Sequence, residues 1–279
     1  MKVKVNSFTD KLIRQSCSRI VVQSTKKISH RKVVRSCSQM VKISTNLLQN
    51  ISYKNMYKLL KRLFDILVSL IGILILLPFF IPLAIALRLT GEGYIFYFQS
   101  RMGYKNTKFQ IWKFATMLKA SPGLGTGSIT LQNDWRLTPM GKFLRKTKIN
   151  ELPQIVNIFK GDMSIVGPRP LMEVDFKKYP ANIQPVIYNS PPGLTGIASI
   201  VFRDEEKYYS NTEMDPHEFD RKHIAPYKGE LELWYQKNLS AYTDLMLVFL
   251  TAWAIVAPKS ELVYRVFRDL PERPEELSK

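Results

Sequence analysis

The chain has 279 residues and a formal charge of +18, because 41 Lys and Arg stand against 23 Asp and Glu. Hydrophobic residues make up 46% of it, which is enough for a substantial core and excludes a wholly disordered chain. Two Cys and three His are too few for a disulfide framework, a zinc finger or most metal centres built from His.

The first 55 residues carry most of the excess charge. They hold 12 Lys and Arg and a single acid, Asp10, so they contribute +11 and leave +7 for the rest of the chain. They show no apolar periodicity of the kind that predicts a packed helix or strand. We therefore expect residues 1–55 to be a disordered basic extension. Three interpretations stay open: a tail resting on anionic lipid, an arm that binds nucleic acid, or a tail without function. Met56, followed by Tyr-Lys-Leu-Leu-Lys-Arg, is also a candidate initiator.

An uncharged apolar segment comes next. It runs for 22 residues, from Ile66 to Leu87, and about 20 apolar residues are enough to cross a bilayer as a helix. Pro78 and Pro82 lie past its middle and each removes a backbone donor, so a bend is expected. Basic residues flank both ends and give no orientation. The residues alone leave two alternatives, a kinked spanning helix and a broken helix that returns to the same face.

Two further elements are predicted from local patterns. The runs 95–98 and 108–114 are separated by a polar stretch that contains Gly103, which indicates a β-hairpin. The apolar run 245–257 has 13 residues, too few to span a membrane. It is better suited to lying at a membrane interface or packing in a core.

The segment 134–170 is dense in charged residues. Five cations lie between positions 136 and 148, and Glu151, Asp162 and Arg169 follow. Arg and Lys can hold phosphate oxygens, and carboxylates can bind Mg²⁺ or act on phosphorus, so one interpretation is a site for a polyanion. The alternative is a solvated basic helix face followed by a Pro-rich turn.

Several motifs together resemble one family. In chain order they are Lys61-Arg62-x-Phe64-Asp65, Gln99-x-Arg101-x-Gly103, Lys113-Phe114-x-Thr116-Met117, Asp134-x-Arg136-x-Thr138, Glu151-Leu-Pro-Gln, Gly161-Asp-Met-Ser164-x-Val-Gly-Pro-Arg-Pro170, Pro192-Gly-Leu-Thr-Gly196 and Asn238-x-Ser240 with Asp244. With the Pro-broken apolar segment, they make residues 56–257 similar to the bacterial sugar transferases, the monotopic polyprenyl-phosphate phosphoglycosyl transferases. The Gly-Asp-Met-Ser and Gly-Pro-Arg-Pro block is highly specific.

The resemblance implies a function. Family members transfer a sugar 1-phosphate from a UDP-sugar to undecaprenyl phosphate and release UMP, as the first membrane step in making an O-antigen, capsule, exopolysaccharide or other glycan. They use Mg²⁺ and pass through a covalent phosphosugar intermediate. The implied partners are a UDP-sugar, undecaprenyl phosphate and inner-membrane lipid. A homodimer stays open, and no nucleic acid is expected.

The resemblance also implies an architecture. We expect an α+β, mostly helical, monotopic protein, with its catalytic domain and interfacial helices on the cytoplasmic face of the bacterial inner membrane. The membrane helix would be re-entrant and broken at Pro78. The expected parts are the extension 1–55, the re-entrant helix 56–90, the catalytic domain 91–260 and a polar C-terminal tail 261–279.

Two positions depart from the family pattern. Asn150 stands where the family has the Asp of an Asp-Glu pair, and Ala115 stands where it has Arg. An amide is a poor nucleophile and binds Mg²⁺ only through its uncharged carbonyl. Three hypotheses follow: Glu151 itself attacks phosphorus, another carboxylate such as Asp162 or one in the run 204–206 substitutes, or the protein is impaired.

The resemblance assigns roles to ten residues. The expected catalytic residues are Arg145, Asn150, Glu151 and Asp162; Glu151 is the expected metal ligand; the expected substrate-binding residues are Lys113, Arg136, Pro168, Arg169 and Pro170; and Pro78 is the expected break. Arg145 would hold a donor phosphate, and Arg169 would present its guanidinium to the nucleotide. The alternative function is an impaired membrane-anchored member that binds a nucleotide-sugar or scaffolds a glycan assembly complex. The sequence does not predict which sugar is transferred.

Overall fold

The computed structural model describes residues 30–90, 92–124, 134–210, 213–258 and 260–277, and this part of the chain is mostly helical. The chain divides into two compact units, Met1–Lys61 and Arg62–Lys279. The first unit is helical wherever it is described, from His30 onward. The second unit contains the two small sheets and the remaining helices.

The elements follow one another in this order: α1 His30–Leu89, β1 Phe96–Met102, β2 Lys108–Phe114, α2 Pro139–Lys146, α3 Gln154–Lys160, β3 Ser164–Val166, α4 Glu173–Phe176, β4 Gly193–Thr195, α5 Ile197–Val201, α6 Glu206–Ser210, α7 Pro216–Phe219, α8 Ala225–Lys237, α9 Ala241–Val256 and α10 Leu262–Val266. Short 3₁₀ turns occur at Tyr104–Asn106, Ser121–Gly123, Ile149–Glu151 and Glu275–Leu277, and a π-helical turn at Asp220–Ile224 joins α7 to α8. The expected α+β, mostly helical class is therefore confirmed.

The long helix α1 contains the predicted apolar segment. By length and composition, Tyr53–Leu89 is the one helical stretch among the described residues that could cross a membrane. The helix continues through Pro78 and Pro82, so the expected break at Pro78 is not confirmed. Residues 30–55, expected to be disordered, are also helical. Extending an existing helix needs no new nucleation, which explains why a weakly patterned segment can be helical there. Residues 1–29 lie outside the described part.

From Arg62 onward α1 belongs to the second unit, and one face of this part of the helix packs against other residues of that unit. Arg62 donates to the carbonyl oxygens of Ile158 and Phe159, and Asp65 accepts a hydrogen bond from the Ile165 amide. Further along the same face, Ser69 is buried and Gly72 lies against Ile155. Towards the end of the helix, Phe80, Leu83 and Leu87 pack with Phe114 and Leu144. Spacings of three and four residues place these positions in one stripe on a helix.

The predicted β-hairpin is confirmed. Strands β1 and β2 pair antiparallel, with Phe98 opposite Trp112 and Arg101 opposite Phe109. Side chains alternate between the two faces of a strand, so Arg101 and Lys113 share one face while the aromatic pair lies on the other. Phe80 of α1 contacts Phe114 edge-on, with ring centroids 5.1 Å apart. The Phe114 end of the aromatic face therefore contacts α1, while Phe96 and Phe98 on the same face are exposed. The opposite face carries Arg101 and Lys113.

The largest core lies between α8, α9 and the C-terminal segment. It includes Tyr235 of α8, Leu247 of α9, and Phe267, Leu270 and Leu277 near the C-terminus. The expectation that 261–279 is a polar tail is therefore wrong for its described part. The apolar residues are spaced widely among charged ones, so local composition did not reveal that they would be buried by α8.

Helix α9 contains the apolar run 245–257. Its inner face, with Leu247 and Leu250, is buried, while Leu245, Phe249 and Trp253 form an exposed stripe. The predicted element thus packs in the core on one side and leaves an apolar surface on the other, as an interfacial helix does.

Candidate active site

A small cavity of about 10 Å³ brings together the charged residues of several elements. Its charged lining residues are Arg101 of β1, Lys113 of β2, Glu151 and Arg169. A cavity of this volume holds about one water molecule, so it fits one phosphate oxygen and not a whole nucleotide. Three cations and one carboxylate give it a net charge of about +2 at neutral pH, which suits an anion.

Glu151 is the carboxylate of this cluster. Its Oε1 lies 2.9 Å from Lys113 Nζ and 3.7 Å from Arg169 Nη2. Burial by itself would raise the pKa of Glu151, but the charges of Lys113 and Arg169 lower it well below the usual range of a carboxyl. Glu151 is therefore ionised at any physiological pH.

Burial lowers the pKa values of both hairpin cations, Lys113 and Arg101. Burial lowers the pKa of Lys113 to about 8, although the charge of Glu151 opposes this shift. Burial and the nearby charge of Arg169 lower the pKa of Arg101 to about 10. Arg101 Nη1 donates to the Pro170 carbonyl at 3.3 Å, and Nη2 donates to Gln99, while Nε is buried without a hydrogen-bond partner in the described structure. A buried unpaired donor in a cationic cavity is suited to an anionic oxygen.

The turn Pro168-Arg169-Pro170 is held by its backbone. Tyr188 Oη donates to the Arg169 carbonyl at 2.8 Å and accepts from the Leu171 amide at 2.9 Å. The Gly193 amide donates to the Pro168 carbonyl at 2.8 Å. Proline fixes the φ angles of residues 168 and 170, and these hydrogen bonds hold the backbone of the turn. The Arg169 side chain is therefore the part of the turn that can still change its conformation. That side chain is 43% exposed, and the charge of Glu151 raises its pKa.

The backbone is unusual just before Glu151. Lys148 has φ 61°, in the left-handed region that favours glycine or asparagine, and it ends the turn that follows α2. The chain then makes the 3₁₀ turn Ile149–Glu151 and enters α3. Asn150 is buried within this turn, and its Oδ1 has no hydrogen-bond partner in the described structure. A left-handed lysine and an orphaned amide oxygen side by side are features that cluster at functional sites.

Five of the expected catalytic and substrate-binding residues do not line the cavity, namely Arg136, Arg145, Asn150, Asp162 and Pro168. Arg136 is fully buried, and its guanidinium binds Asp134 and the carbonyls of Ser121 and Leu124. These contacts engage its donors and attach Arg136 to the loop that precedes α2. The expected substrate-binding role of Arg136 stays a prediction, and the structure places the residue away from the cavity. Asp162 is bound by Asn157 and lies 3.3 Å from Lys160 Nζ, which places it at the end of α3.

Arg145 lies on α2, partly exposed, and does not line the cavity. Of the expected residues, the structure brings together Lys113, Glu151, Arg169 and Pro170, while Pro168 supports their turn.

Sequence reasoning gave no site role to three residues in or next to the cavity, Arg101, Gln154 and Glu232. Gln154 lines the cavity, and the register of the hairpin, which places Arg101 and Lys113 on one face, could have identified Arg101. Glu232 contacts the backbone of Arg169 from a distant helix, so no local motif identifies it.

The site offers oxygen ligands of the kind that Mg²⁺ prefers. Glu151 supplies an ionised carboxylate, and the unpaired Oδ1 of Asn150 supplies an amide oxygen in the adjacent position. No group of three His, Cys, Asp or Glu residues in the described structure could hold a metal ion. A Mg²⁺ ion would fit if substrate phosphates completed its ligands, which is a common arrangement for this metal.

Comparison with known proteins places this cluster in a family. The sequence profile described as "Bacterial sugar transferase" matches residues 56–258, which include α1 from Met56 onward, the hairpin and the whole cavity. The chain is a bacterial sugar transferase. The expectation drawn from the motifs is thereby confirmed.

Several named proteins are similar to this chain. "Exopolysaccharide production protein ExoY" of Sinorhizobium fredii is 32% identical over 209 residues, which cover 70% of this chain and 84% of ExoY. "UDP-N-acetylgalactosamine-undecaprenyl-phosphate N-acetylgalactosaminephosphotransferase" of Aeromonas hydrophila is 33% identical over 202 residues, 72% of this chain and 44% of the relative. "UDP-glucose:undecaprenyl-phosphate glucose-1-phosphate transferase" of Escherichia coli is 32% identical over 199 residues, 70% of this chain and 40% of the relative. The chain thus spans most of ExoY and less than half of the other two.

Proposed function

We propose that this protein transfers a sugar 1-phosphate from a UDP-sugar to undecaprenyl phosphate and releases UMP, with Glu151 as the nucleophile. The observation that carries the proposal is the cavity in which one ionised carboxylate lies among three cations, Arg101, Lys113 and Arg169. The family relatives named for undecaprenyl-phosphate transfer support the reaction class.

The proposed reaction has two displacements at one phosphorus. A carboxylate oxygen of Glu151 attacks the phosphorus that carries the sugar, and the oxygen bridging to the α-phosphate leaves with UMP. A phosphate oxygen of undecaprenyl phosphate then attacks the same phosphorus, and the bond to Glu151 breaks to give a sugar diphosphate-undecaprenol. Covalent catalysis of this kind divides one difficult transfer into two easier ones.

The ion pairs explain how Glu151 is controlled. Without donor, Lys113 and Arg169 hold the carboxylate. The diphosphate of a donor would compete for the same cations, because phosphate oxygens are strong acceptors for Lys and Arg. The carboxylate is then released beside the phosphorus that it attacks. Mg²⁺, held by Glu151 and Asn150, would neutralise charge on the diphosphate.

The proposal includes a monotopic placement in the inner membrane with the cavity on the cytoplasmic face. Arg62 and Asp65 near the start of the apolar segment, Gly72 within it and Leu87 at its end all contact the same domain. A helix that crossed the bilayer would carry one of its ends away from that domain. The stripe of contacts therefore supports an apolar helix that stays on one side, with its exposed face in lipid.

The decisive experiment measures UMP release by the detergent-solubilised full chain with undecaprenyl phosphate, Mg²⁺ and a panel of UDP-sugars. We expect release with at least one donor, and a loss of more than about 100-fold for Glu151→Gln, because the amide neither attacks phosphorus nor binds metal as an anion. Glu173→Gln, which removes a surface carboxylate of α4, is the matched control and should keep full activity.

Two results would contradict the proposal. Full turnover by Glu151→Gln would exclude Glu151 as the nucleophile. If the folded wild-type chain released no UMP with any donor of the panel, while an active relative assayed in parallel did, the alternative would be favoured in which Asn150 marks an impaired, scaffolding member. Recovery of activity by Asn150→Asp would then identify Asn150 as the cause.

A further inference from the structure

A buried carboxyl group behind the Pro168-Arg169-Pro170 turn has no role in the proposed reaction. Glu232 lies on α8 and is 1% exposed. Its Oε1 accepts a hydrogen bond from the Arg169 amide at 3.3 Å, and its Oε2 is buried without a partner in the described structure. A buried polar atom left unpaired is energetically costly, so such a group calls for an explanation.

The neighbouring charges do not form an ion pair with Glu232. Lys228 lies one turn earlier on α8, but its Nζ is bound to Glu205 Oε1 at 2.6 Å. The same Oε1 accepts a hydrogen bond from Tyr209 at 2.6 Å. Lys228 is thus engaged by Glu205, and the charge of Glu205 also acts on Arg169. Among the described residues, the Glu232 carboxyl has one hydrogen bond, to the residue whose guanidinium lines the cavity.

We propose that Glu232 is a positioning residue, which fixes Arg169 through its backbone amide so that the guanidinium meets the donor phosphates. This inference rests on the proposed function, and it adds a residue that does not touch substrate. Tyr188 holds the carbonyl of Arg169 and Glu232 holds its amide, so both backbone polar groups of that residue are fixed by buried side chains. Fixing the backbone lowers the entropy that the turn loses when it binds an anion.

The protonation state of Glu232 matters for the same site. Burial raises its pKa to about 7, against weaker opposing effects of the Arg169 amide and of the charges of Lys228 and Arg169. The other groups that face it electrostatically are Tyr179 and Tyr188, whose own pKa values burial raises, so both stay neutral. Below pH 7 Glu232 adds no negative charge beside Arg169. Above pH 7 it ionises and offsets part of the positive charge that attracts phosphate.

The test compares the UDP affinity of the wild-type full chain and of Glu232→Gln in detergent between pH 6 and pH 8.5. Gln keeps an oxygen for the Arg169 amide but cannot ionise. We expect similar affinities at pH 6 and an affinity about fivefold higher for Glu232→Gln at pH 8.5, the effect of one partly screened charge near Arg169. Lys113 loses charge near pH 8 in both proteins, so the ratio of the two affinities isolates Glu232.

Two further variants separate positioning from simple packing. Glu230→Gln removes an exposed carboxylate from the same helix and should follow the wild-type pH profile. Glu232→Ala removes the acceptor and should weaken UDP binding at least tenfold at pH 6, a loss that Gln rescues. Thermal unfolding of each variant shows whether it is folded.

The outcomes distinguish this inference from the proposed function. Parallel pH profiles for wild type and Glu232→Gln, or equal losses at pH 6 for Gln and Ala, would overturn the role of Glu232. A protein that binds UDP with the expected profiles but releases no UMP from any donor would contradict the reaction and leave the positioning role standing. Absence of UDP binding by the wild-type chain at every pH would contradict both.

Discussion

Lys113 and Glu151 show how one contact gives each group an unusual protonation equilibrium. The two side chains are 16% and 19% exposed, and their charged atoms are 2.9 Å apart. Burial destabilises both charges, and their mutual attraction offsets this. For Glu151 the cations prevail and its pKa falls; for Lys113 burial prevails and its pKa falls to about 8. The ammonium is thus the member of the pair that titrates near physiological pH.

Lys113 gives a prediction with two opposite pH dependences. As pH rises through 8, Lys113 loses its proton, so kcat/KM for the donor should fall. Between pH 8 and the ordinary lysine value of about 10.4, the unfolded chain binds more protons than the folded one. The contribution of Lys113 to the free energy of unfolding should therefore rise. Initial rates and denaturant unfolding in detergent, measured from pH 6.5 to 10, test both.

The variant Lys113→Met checks the assignment. It should lower kcat/KM by about 100-fold at pH 7 and abolish the part of both pH trends that is centred near pH 8, because it removes the charge that titrates there. The change near pH 7 that comes from Glu232 should remain. Lys142→Met, which removes an exposed lysine of α2, serves as the control. A trend centred near pH 8 that persists in Lys113→Met would belong to another group.

Asn150 illustrates what a single sequence position does and does not reveal. The sequence shows that an amide replaces the expected carboxylate, and amide chemistry excludes it as a nucleophile. The structure adds that its Oδ1 is buried without a hydrogen-bond partner among the described residues, and that Asn150 precedes Glu151 in the chain but does not line the cavity. An orphaned acceptor in this position is consistent with a ligand for a cation that arrives with the donor.

Helix α1 is attached to the domain by polar contacts at the start of its apolar segment. Arg62 Nη1 and Nη2 donate to the Ile158 and Phe159 carbonyls at 2.6 and 2.7 Å. These carbonyls belong to the last turn of α3, where the helix dipole favours a cation, and the Ile158 carbonyl also accepts from the Gly161 amide. Glu151 lies in the turn that leads into α3, which begins at Gln154. The contact of Arg62 therefore links the membrane helix to the element that positions the Glu151 carboxylate.

Arg62→Ala should therefore affect both stability and activity. We expect the free energy of unfolding to fall by about 1–3 kcal/mol, from the loss of two charge-assisted hydrogen bonds, and kcat to fall with it. Thermal and denaturant unfolding in detergent, with UMP release, provide the measurement. Lys58→Ala, which removes an exposed cation one turn earlier on α1, should change neither. Equal effects of the two variants would assign the loss to charge alone.

The distribution of charge separates the extension from the enzyme. Residues 1–55 contribute +11 of the total +18. The cavity residues, the contact stripe of α1 and the family match all lie after that segment, since the match begins at residue 56. The excess charge that suggests nucleic acid is thus outside the part that carries the site.

A chain that begins at Met56 should keep its activity. We expect UMP release within about twofold of that of the full chain, and the same fraction of protein floating with membranes, because the apolar stretch and its contacts are retained. Activity assays and membrane flotation of the two chains make the comparison. A tenfold loss of activity, or release from membranes, would give residues 1–55 a functional role.

The sequence by itself determined the family, the apolar segment and the hairpin, and it predicted site roles for Glu151, Lys113 and Arg169, which the structure brings to one cavity. These depend on local patterns: an uncharged run, alternation along strands, and motifs of fixed spacing. Tertiary structure decided which charges meet. Arg136 is as cationic as Arg101, but it is bound by Asp134 and two carbonyls, while Arg101 keeps a buried donor in the cavity. Likewise the burial of Glu232 and of the C-terminal segment depends on α8. Pairing and desolvation arise from residues distant in the chain, so no local pattern can specify them.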